Sequence, residues 1–228
     1  KLPIPKLPGM PELPSEASLP EAVTKLFQAK KGFANQYFNQ LNLTRVWDTF
    51  LGESDYSEMG GVWTLVGDLG APGQVEIELS DKQATYRIGM DRAVVPLEGD
   101  VSEELQPPGS GGLLAALSLW RQLLLQGPAK FGDLHYLGTA PIYERGLPPP
   151  GDRSPVVQAD VLGGAEWKVE CKFYFSPKDG TLLAMEMFSS DELDPCEIYF
   201  SDYKQEAGLK IPRKIEVRYG DALFGVFQ

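Results

Sequence analysis

The chain has 228 residues, a formal charge of −11, 43% apolar and 11% aromatic residues, a profile that excludes intrinsic disorder and suffices for one large β domain or two small ones. Its acidity repels phosphate backbones and anionic headgroups, which argues against nucleic acid as a partner and against a polybasic membrane anchor. No stretch approaches the about 18 uninterrupted apolar residues of a membrane span, since the most apolar run, Leu113 to Leu125, contains Ser118, Arg121 and Gln122.

The sequence opens on Lys1, as a chain does once a signal peptide, a lipid-attachment segment or an upstream domain has been removed. From Lys1 to Pro20, Pro3, Pro5, Pro8, Pro11, Pro14 and Pro20 remove backbone donors and favour extended, polyproline-like chain. This reads as a linker, residues 1–20, ahead of a single domain, residues 21–228. A short helix is expected from Glu21 to Ala29. Next, Phe33, Tyr37, Leu41, Val46, Trp47 and Phe50 recur near the helical repeat and predict an amphipathic helix from Phe33 to Leu51. The glycosylation-like triplet Asn42-Leu43-Thr44 falls inside that helix and reads as coincidence.

Gly60-Gly61 breaks the helical pattern. Strand-like runs follow at Val62 to Val66, Val75 to Leu79, Ala84 to Ile88 and Ala93 to Leu97, separated by turn clusters such as Ala71-Pro72-Gly73 and Gly89-Met90-Asp91. Val75-Glu76-Ile77-Glu78-Leu79 alternates cleanly, so one face meets apolar groups and the other water. After the loop Gln106 to Gly112, the segment Leu113 to Gly127 reads as a helix apolar around most of its circumference, which must be enclosed, and Gly127-Pro128 stops it. Seven further runs follow: Leu134 to Ala140, Val156 to Leu162, Trp167 to Phe175, Leu182 to Phe188, Cys196 to Phe200, Ile211 to Tyr219 and Leu223 to Phe227. The expectation is an α+β fold, a curved antiparallel sheet of about eleven strands with an apolar helix in its mouth.

Catalytic motifs are weak. His135 is the only histidine and sits in Leu134-His135-Tyr136-Leu137 with no serine elbow nearby, so it reads as structural. Gly109-Ser110-Gly111-Gly112 is not followed by Gly-Lys-Ser/Thr and is no phosphate loop. Glu103-Glu104 and Asp191, Glu192 and Asp194 fall in polar turns as solvated carboxylates, neither a glycosidase pair nor an EF-hand. No catalytic residue, cofactor or metal is therefore expected. Cys171 and Cys196 lie on strands that a meander places two apart, roughly 9.5 Å, too far for a disulfide.

Several motifs carry a family likeness: Gly61-Val62-Trp63-Thr64 entering the first strand, Phe173-Tyr174-Phe175-Ser176-Pro177-Lys178-Asp179-Gly180-Thr181-Leu182, and the closing segments Glu197 to Tyr203 and Gly208-Leu209-Lys210-Ile211-Pro212-Arg213-Lys214-Ile215. Together with the element order, the chain from Phe33 to Gln228 resembles the lipoprotein-localisation group, the LolA/LolB/LppX-like half-barrels of the bacterial envelope. The resemblance implies a half-open barrel covered by helices, an apolar cavity for acyl chains, and a lid-locking arginine whose nearest counterpart is Arg45. It also implies a periplasmic or otherwise extracytoplasmic location, with a lipid anchor on the segment before Lys1.

The expected function is binding of an apolar ligand, a lipid or a lipoprotein acyl chain, by a monomer. The expected lining is Trp63, Trp167, Phe173, Phe175 and Met185 on the sheet and Leu114, Leu117 and Trp120 on the helix. The alternative is a non-enzymatic interaction or accessory domain of a larger exported protein, contacting an envelope protein through sheet edges or the Tyr143 to Asp152 loop, with the same aromatics as filled core.

Overall fold

The computed structural model describes residues 34–52, 54–70, 73–101, 103–131, 134–143, 155–166, 168–220 and 222–228. The proline-rich linker, the helix expected at Glu21 to Ala29, Phe33, the loop at 144–154 and Trp167 lie outside them. The chain divides into two units between Leu41 and Asn42. Of the first, the described part is the opening of helix α1 (Ala34–Leu51), where the rings of Tyr37 and Phe38 meet edge to face at 5.4 Å. The second unit holds the rest of α1 and the whole sheet.

From Asn42 onward, α1 buries Leu43, Val46 and Phe50 with Trp47 partly covered, the i, i+3, i+4, i+7 stripe of an amphipathic helix. Leu41, expected on that stripe, is exposed, and Leu43 takes its place. Four strands follow as a meander, β1 (Trp63–Asp68), β2 (Gln74–Leu79), β3 (Gln83–Ile88) and β4 (Asp91–Pro96). On β2, Val75, Ile77 and Leu79 are buried while Glu76 and Glu78 are not, as the alternation requires. Helix α2 (Leu113–Gln126) then leads to β5 (His135–Tyr143), β6 (Val156–Glu166), β7 (Val169–Phe175), β8 (Leu182–Phe188) and β9 (Cys196–Ser201). A small hairpin, β10 (Lys204–Glu206) with β11 (Leu209–Ile211), precedes β12 (Lys214–Tyr219) and β13 (Ala222–Phe227).

Eleven of these strands form one antiparallel sheet in the order β4-β3-β2-β1-β13-β12-β9-β8-β7-β6-β5. β13 pairs with β1 and so joins the two meanders, while α2 connects one edge strand, β4, to the other, β5. The sheet does not close, and its edges are blunted. Leu97 N donates to Lys82 O at 2.8 Å, so Pro96, paired with Gln83, occupies the alternate position whose backbone faces away from β3. Pro141 in β5 likewise offers no donor. The strand expected from Ile211 to Tyr219 is two strands, because Pro212 ends the β11 ladder before β12 begins. β10 was missed for want of a single apolar residue. Among the described residues no helix is long and apolar enough to cross a membrane.

α2 packs against β2, β3 and β8. Every residue of it except Gln122, Leu125 and Gln126 is buried. Its entry explains the glycine run. Gly112, at φ 95°, lies where an added Cβ would stand 2.6 Å from Met187 Cε and 2.9 Å from Glu104 O, so the run serves close packing. Ser110 Oγ accepts the Leu113 amide at 3.1 Å, and Gly127 N closes the far end on Leu123 O at 2.9 Å. A second close approach is at Gly180, φ 67°, where a Cβ would lie 2.5 Å from the Thr49 carbonyl, so the β7–β8 turn seats the end of α1.

Cys171 and Cys196 are both buried free thiols, and both face Met187 across neighbouring strands, which separates them by one strand as expected. Burial pushes both thiols well above their ordinary range. Alkylation without reductant is expected to label neither cysteine in the native protein and both in denaturant, read by intact mass. A denatured protein that takes up no label would establish a bridge and contradict the strand order.

Candidate functional site

Arg121 is the one charged residue on α2, and its surroundings decide how the helix presents Trp120. Arg121 is 5% exposed. One amino group meets Asp81 Oδ1 at 2.7 Å, the other donates to Gly61 O at 2.7 Å, and the group lies 5.6 Å from the Trp63 ring centroid. A buried charge is tolerated only when compensated in this way. The arginine thus ties α2 to the β2–β3 turn and to the entry of β1, and Trp63 is held between it and Trp120. The two indoles meet at 5.4 Å and 75°, Trp63 Nε1 donates to Met59 O at 2.7 Å, and Trp120 leans on Phe200 at 4.8 Å.

Opposite this aromatic group runs the β10–β11 hairpin with Pro212. Two phenols fix it: Tyr56 Oη donates to Lys210 O at 2.8 Å while its ring stacks on Phe50 at 5.3 Å, and Tyr203 Oη donates to Leu182 O at 2.6 Å. Burial pushes both phenols up, Tyr203 furthest, so both stay protonated as donors. Lys210 adds hydrogen bonding to Thr181 Oγ1, and Arg213 pairs with Glu206.

Between the hairpin and the indoles lies an apolar cleft of ≈ 260 Å³, lined by Met59, Trp63, Trp120, Ile211, Pro212 and Phe227 among others. It shares Met59, Trp63, Trp120, Ile211 and Pro212 with a narrower cavity of ≈ 20 Å³ that reaches inward to Phe50, Leu124 and Tyr203. The outer cleft is near the small end of ligand-site volumes, and the inner one is room for about one water.

Of the eight residues expected to line a ligand cavity, Trp63 and Trp120 line both of these spaces. Leu114, Leu117, Phe173, Phe175 and Met185 are packed in the main core, and Trp167 lies outside the described residues. The sequence offered no means of finding Met59, Ile211 and Pro212, which reach the cleft from segments that read only as loop and strand. Arg121 was visible only as a break in an apolar run. His135 is exposed on edge strand β5, and Asp191, Glu192 and Asp194 are exposed in the turn before β9.

Arg45, on the exposed side of α1, forms two 3.0 Å hydrogen bonds with the buried Asp160 of β6, and Tyr136 Oη donates to the same carboxylate at 2.9 Å. The bond to Asp160 holds the Arg45 guanidinium above even its ordinary value, and burial pushes the Tyr136 phenol up. This cluster fastens the second half of α1 to the sheet. Replacing Asp160 by Ala leaves a guanidinium and a phenol without their acceptor. Because Arg45 is 46% exposed and Asp160 6%, the expected loss lies between those of surface and buried pairs, about 1–3 kcal/mol in urea unfolding. Asp160→Asn, which keeps an acceptor oxygen, is expected to lose less. An Ala variant as stable as the wild type would show that the cluster does not hold the helix.

Compared with protein-family models, with curated proteins and with solved structures, the chain finds no match.

Proposed function

We propose that this is a non-catalytic domain that binds an apolar chain, such as a lipid or a lipoprotein acyl group, in the cleft between Trp63, Trp120 and the β10–β11 hairpin. The observation that carries the reading is the cleft itself: a mostly apolar lining around ≈ 260 Å³, sharing five of its residues with an inner cavity. The wall is rigid, since Arg121, Met59 O and Phe200 all hold the two indoles. The opposite wall is a two-stranded hairpin joined to the body by two tyrosine hydroxyls and by Lys210 to Thr181 and Asp179, a few polar contacts that can yield to a ligand. Each methylene moved from water into such a site contributes about 0.8 kcal/mol, so about ten are needed to reach the ~8 kcal/mol of a micromolar complex, before ordering costs are counted. A chain of that length needs the inner cavity widened, which places the adjustment on the hairpin.

The reading includes the likeness to the LolA-like half-barrels, with the sheet as a half-open barrel, Arg45 as the residue fastening the helix over it, and an extracytoplasmic setting. The fold supports it at the level of an open antiparallel sheet of eleven strands with two α-helices among the described residues. A second reading, an interaction domain with a filled core, is favoured by the complete burial of Leu114, Leu117, Phe173 and Met185.

The two are separated by titrating the protein with a fluorescent long-chain fatty acid. The wild type is expected to bind, and Ile211→Asp, which places a carboxylate in the cleft wall, to lose at least about tenfold in affinity while keeping its circular dichroism. Absence of binding in the wild type would overturn the proposal in favour of the filled-core reading.

A further inference from the structure

The ladder between β8 and β9 is incomplete. Pairing runs from Met187↔Cys196 to Ala184↔Tyr199 and stops there, although β8 begins at Leu182 and β9 continues to Ser201. The strands part at this end, and the gap is a cleft of ≈ 450 Å³ of quite different character from the apolar one. Ser176, Thr181 and Ser201 supply hydroxyls, Lys178, Lys214, Asp179 and Asp202 supply charge, and Leu183, Phe200 and Tyr203 supply apolar surface. Tyr203 lines this cleft and the narrow apolar cavity alike. A single side chain, held by its bond to Leu182 O, thus stands between an apolar space and a polar one.

The charges in the polar cleft are unequally committed. Asp179 accepts the Thr181 amide at 3.3 Å and faces Lys210 Nζ at 3.5 Å. Lys178 and Asp202 have no ion-pair partner among the described residues, and Lys214 has only Glu216 at 3.6 Å. Asp202 sits at φ 53° in the turn between β9 and β10, a left-handed conformation that aspartate tolerates. Lys178 and Asp202 therefore remain to meet a ligand, with Lys214, shared with Glu216, beside them in the same cleft. The complement is a head bearing a phosphate and an amine, on a ligand whose other end suits Trp63 and Trp120.

We propose that the two clefts bind one zwitterionic amphiphile, its acyl chain in the apolar cleft and its phosphate and amine among Lys178, Lys214 and Asp202, with Tyr203 as the divide that the chain passes. This rests on the apolar-chain reading above and adds the chemistry of the head. A chain of net charge −11 repels free anions at long range, so the lysines act on a phosphate that the acyl chain has already brought to the surface.

The test is calorimetric titration of the full chain with single-chain ligands of equal acyl length: lysophosphatidylethanolamine, lysophosphatidic acid and monoacylglycerol, with free phosphoethanolamine as a fourth. Lysophosphatidylethanolamine is expected to bind most tightly, about tenfold better than monoacylglycerol, the size of one charge-assisted hydrogen bond. Replacing Lys178 and Lys214 together by Gln is expected to abolish the advantage of the phosphate-bearing ligands. Asp202→Asn, which tolerates the left-handed backbone, is expected to remove the preference for the amine. Equal binding of all three lipids, unmoved by these variants, would overturn the head-group assignment and leave the apolar-chain reading standing. Free phosphoethanolamine binding as tightly as its acylated form would overturn joint occupancy, and no binding by any lipid would overturn both.

Discussion

An α-helix that is apolar around most of its circumference has no stable place on a surface, and the architecture follows from enclosing α2. Each leucine taken fully from water contributes about 1.5–3 kcal/mol, and Leu113, Leu114, Leu117, Leu119 and Leu123 are all 0% exposed. The helix finds its cover on strands from both meanders, β2 and β3 from one and β8 from the other. β13 closes the seam between those meanders on β1. The same demand explains the packing of Gly112 against Met187 and the cluster of large aromatics, Phe131, Phe173, Phe175 and Phe200, buried below 2% exposure.

At Trp120 and Arg121, both 5% exposed, the chemistry of the helix changes. Trp120 and Arg121 come where α2 meets the entry to β1. Phe200 of β9 backs Trp120, and the far wall of the cleft is the β10–β11 hairpin with Pro212. Hydrogen bonds from Tyr56 and Tyr203 give that hairpin a fixed seat, but its own strands are three residues each, too short to be stable alone. Local openings are drawn from such elements while the body of the sheet stays intact. The proposed site therefore lies under the least firmly paired element that borders it. Its neighbour across Tyr203 arises from the same cause, because β9 turns away from β8 to begin the hairpin.

Much of this was legible in the sequence. The alternation of Val75, Ile77 and Leu79, the turn clusters and the stop at Gly127-Pro128 located most of the strands and α2 to within a few residues, since hydrophobic period and turn chemistry are local signals. The separation of Cys171 from Cys196 by one strand followed from strand order alone. What the sequence did not disclose depends on long-range pairing. Nothing in Lys204-Gln205-Glu206 marks a strand without its partner Leu209-Lys210-Ile211. Nothing in a lone Arg121 tells of Asp81 and the Gly61 carbonyl. Nor does Pro212, a strand breaker by its chemistry, announce that it lines a cleft. Of the expected cavity residues Trp63 and Trp120 line the cleft, while the leucines, the phenylalanines and Met185 lie in the core: an apolar residue has the same sequence signature in either place.

The most direct test of the account uses the two indoles as reporters. A fatty acid brominated along its chain quenches tryptophan fluorescence only at short range. Titrated into the wild type it is expected to give saturable quenching, and a Trp63→Phe, Trp120→Phe double variant, with Trp47 and Trp167 still present, is expected to lose most of that quenching while still binding the unlabelled acid. Quenching of equal depth in the double variant would place the chain elsewhere on the protein, and no saturable quenching in the wild type would contradict the claim that this cleft receives an apolar chain.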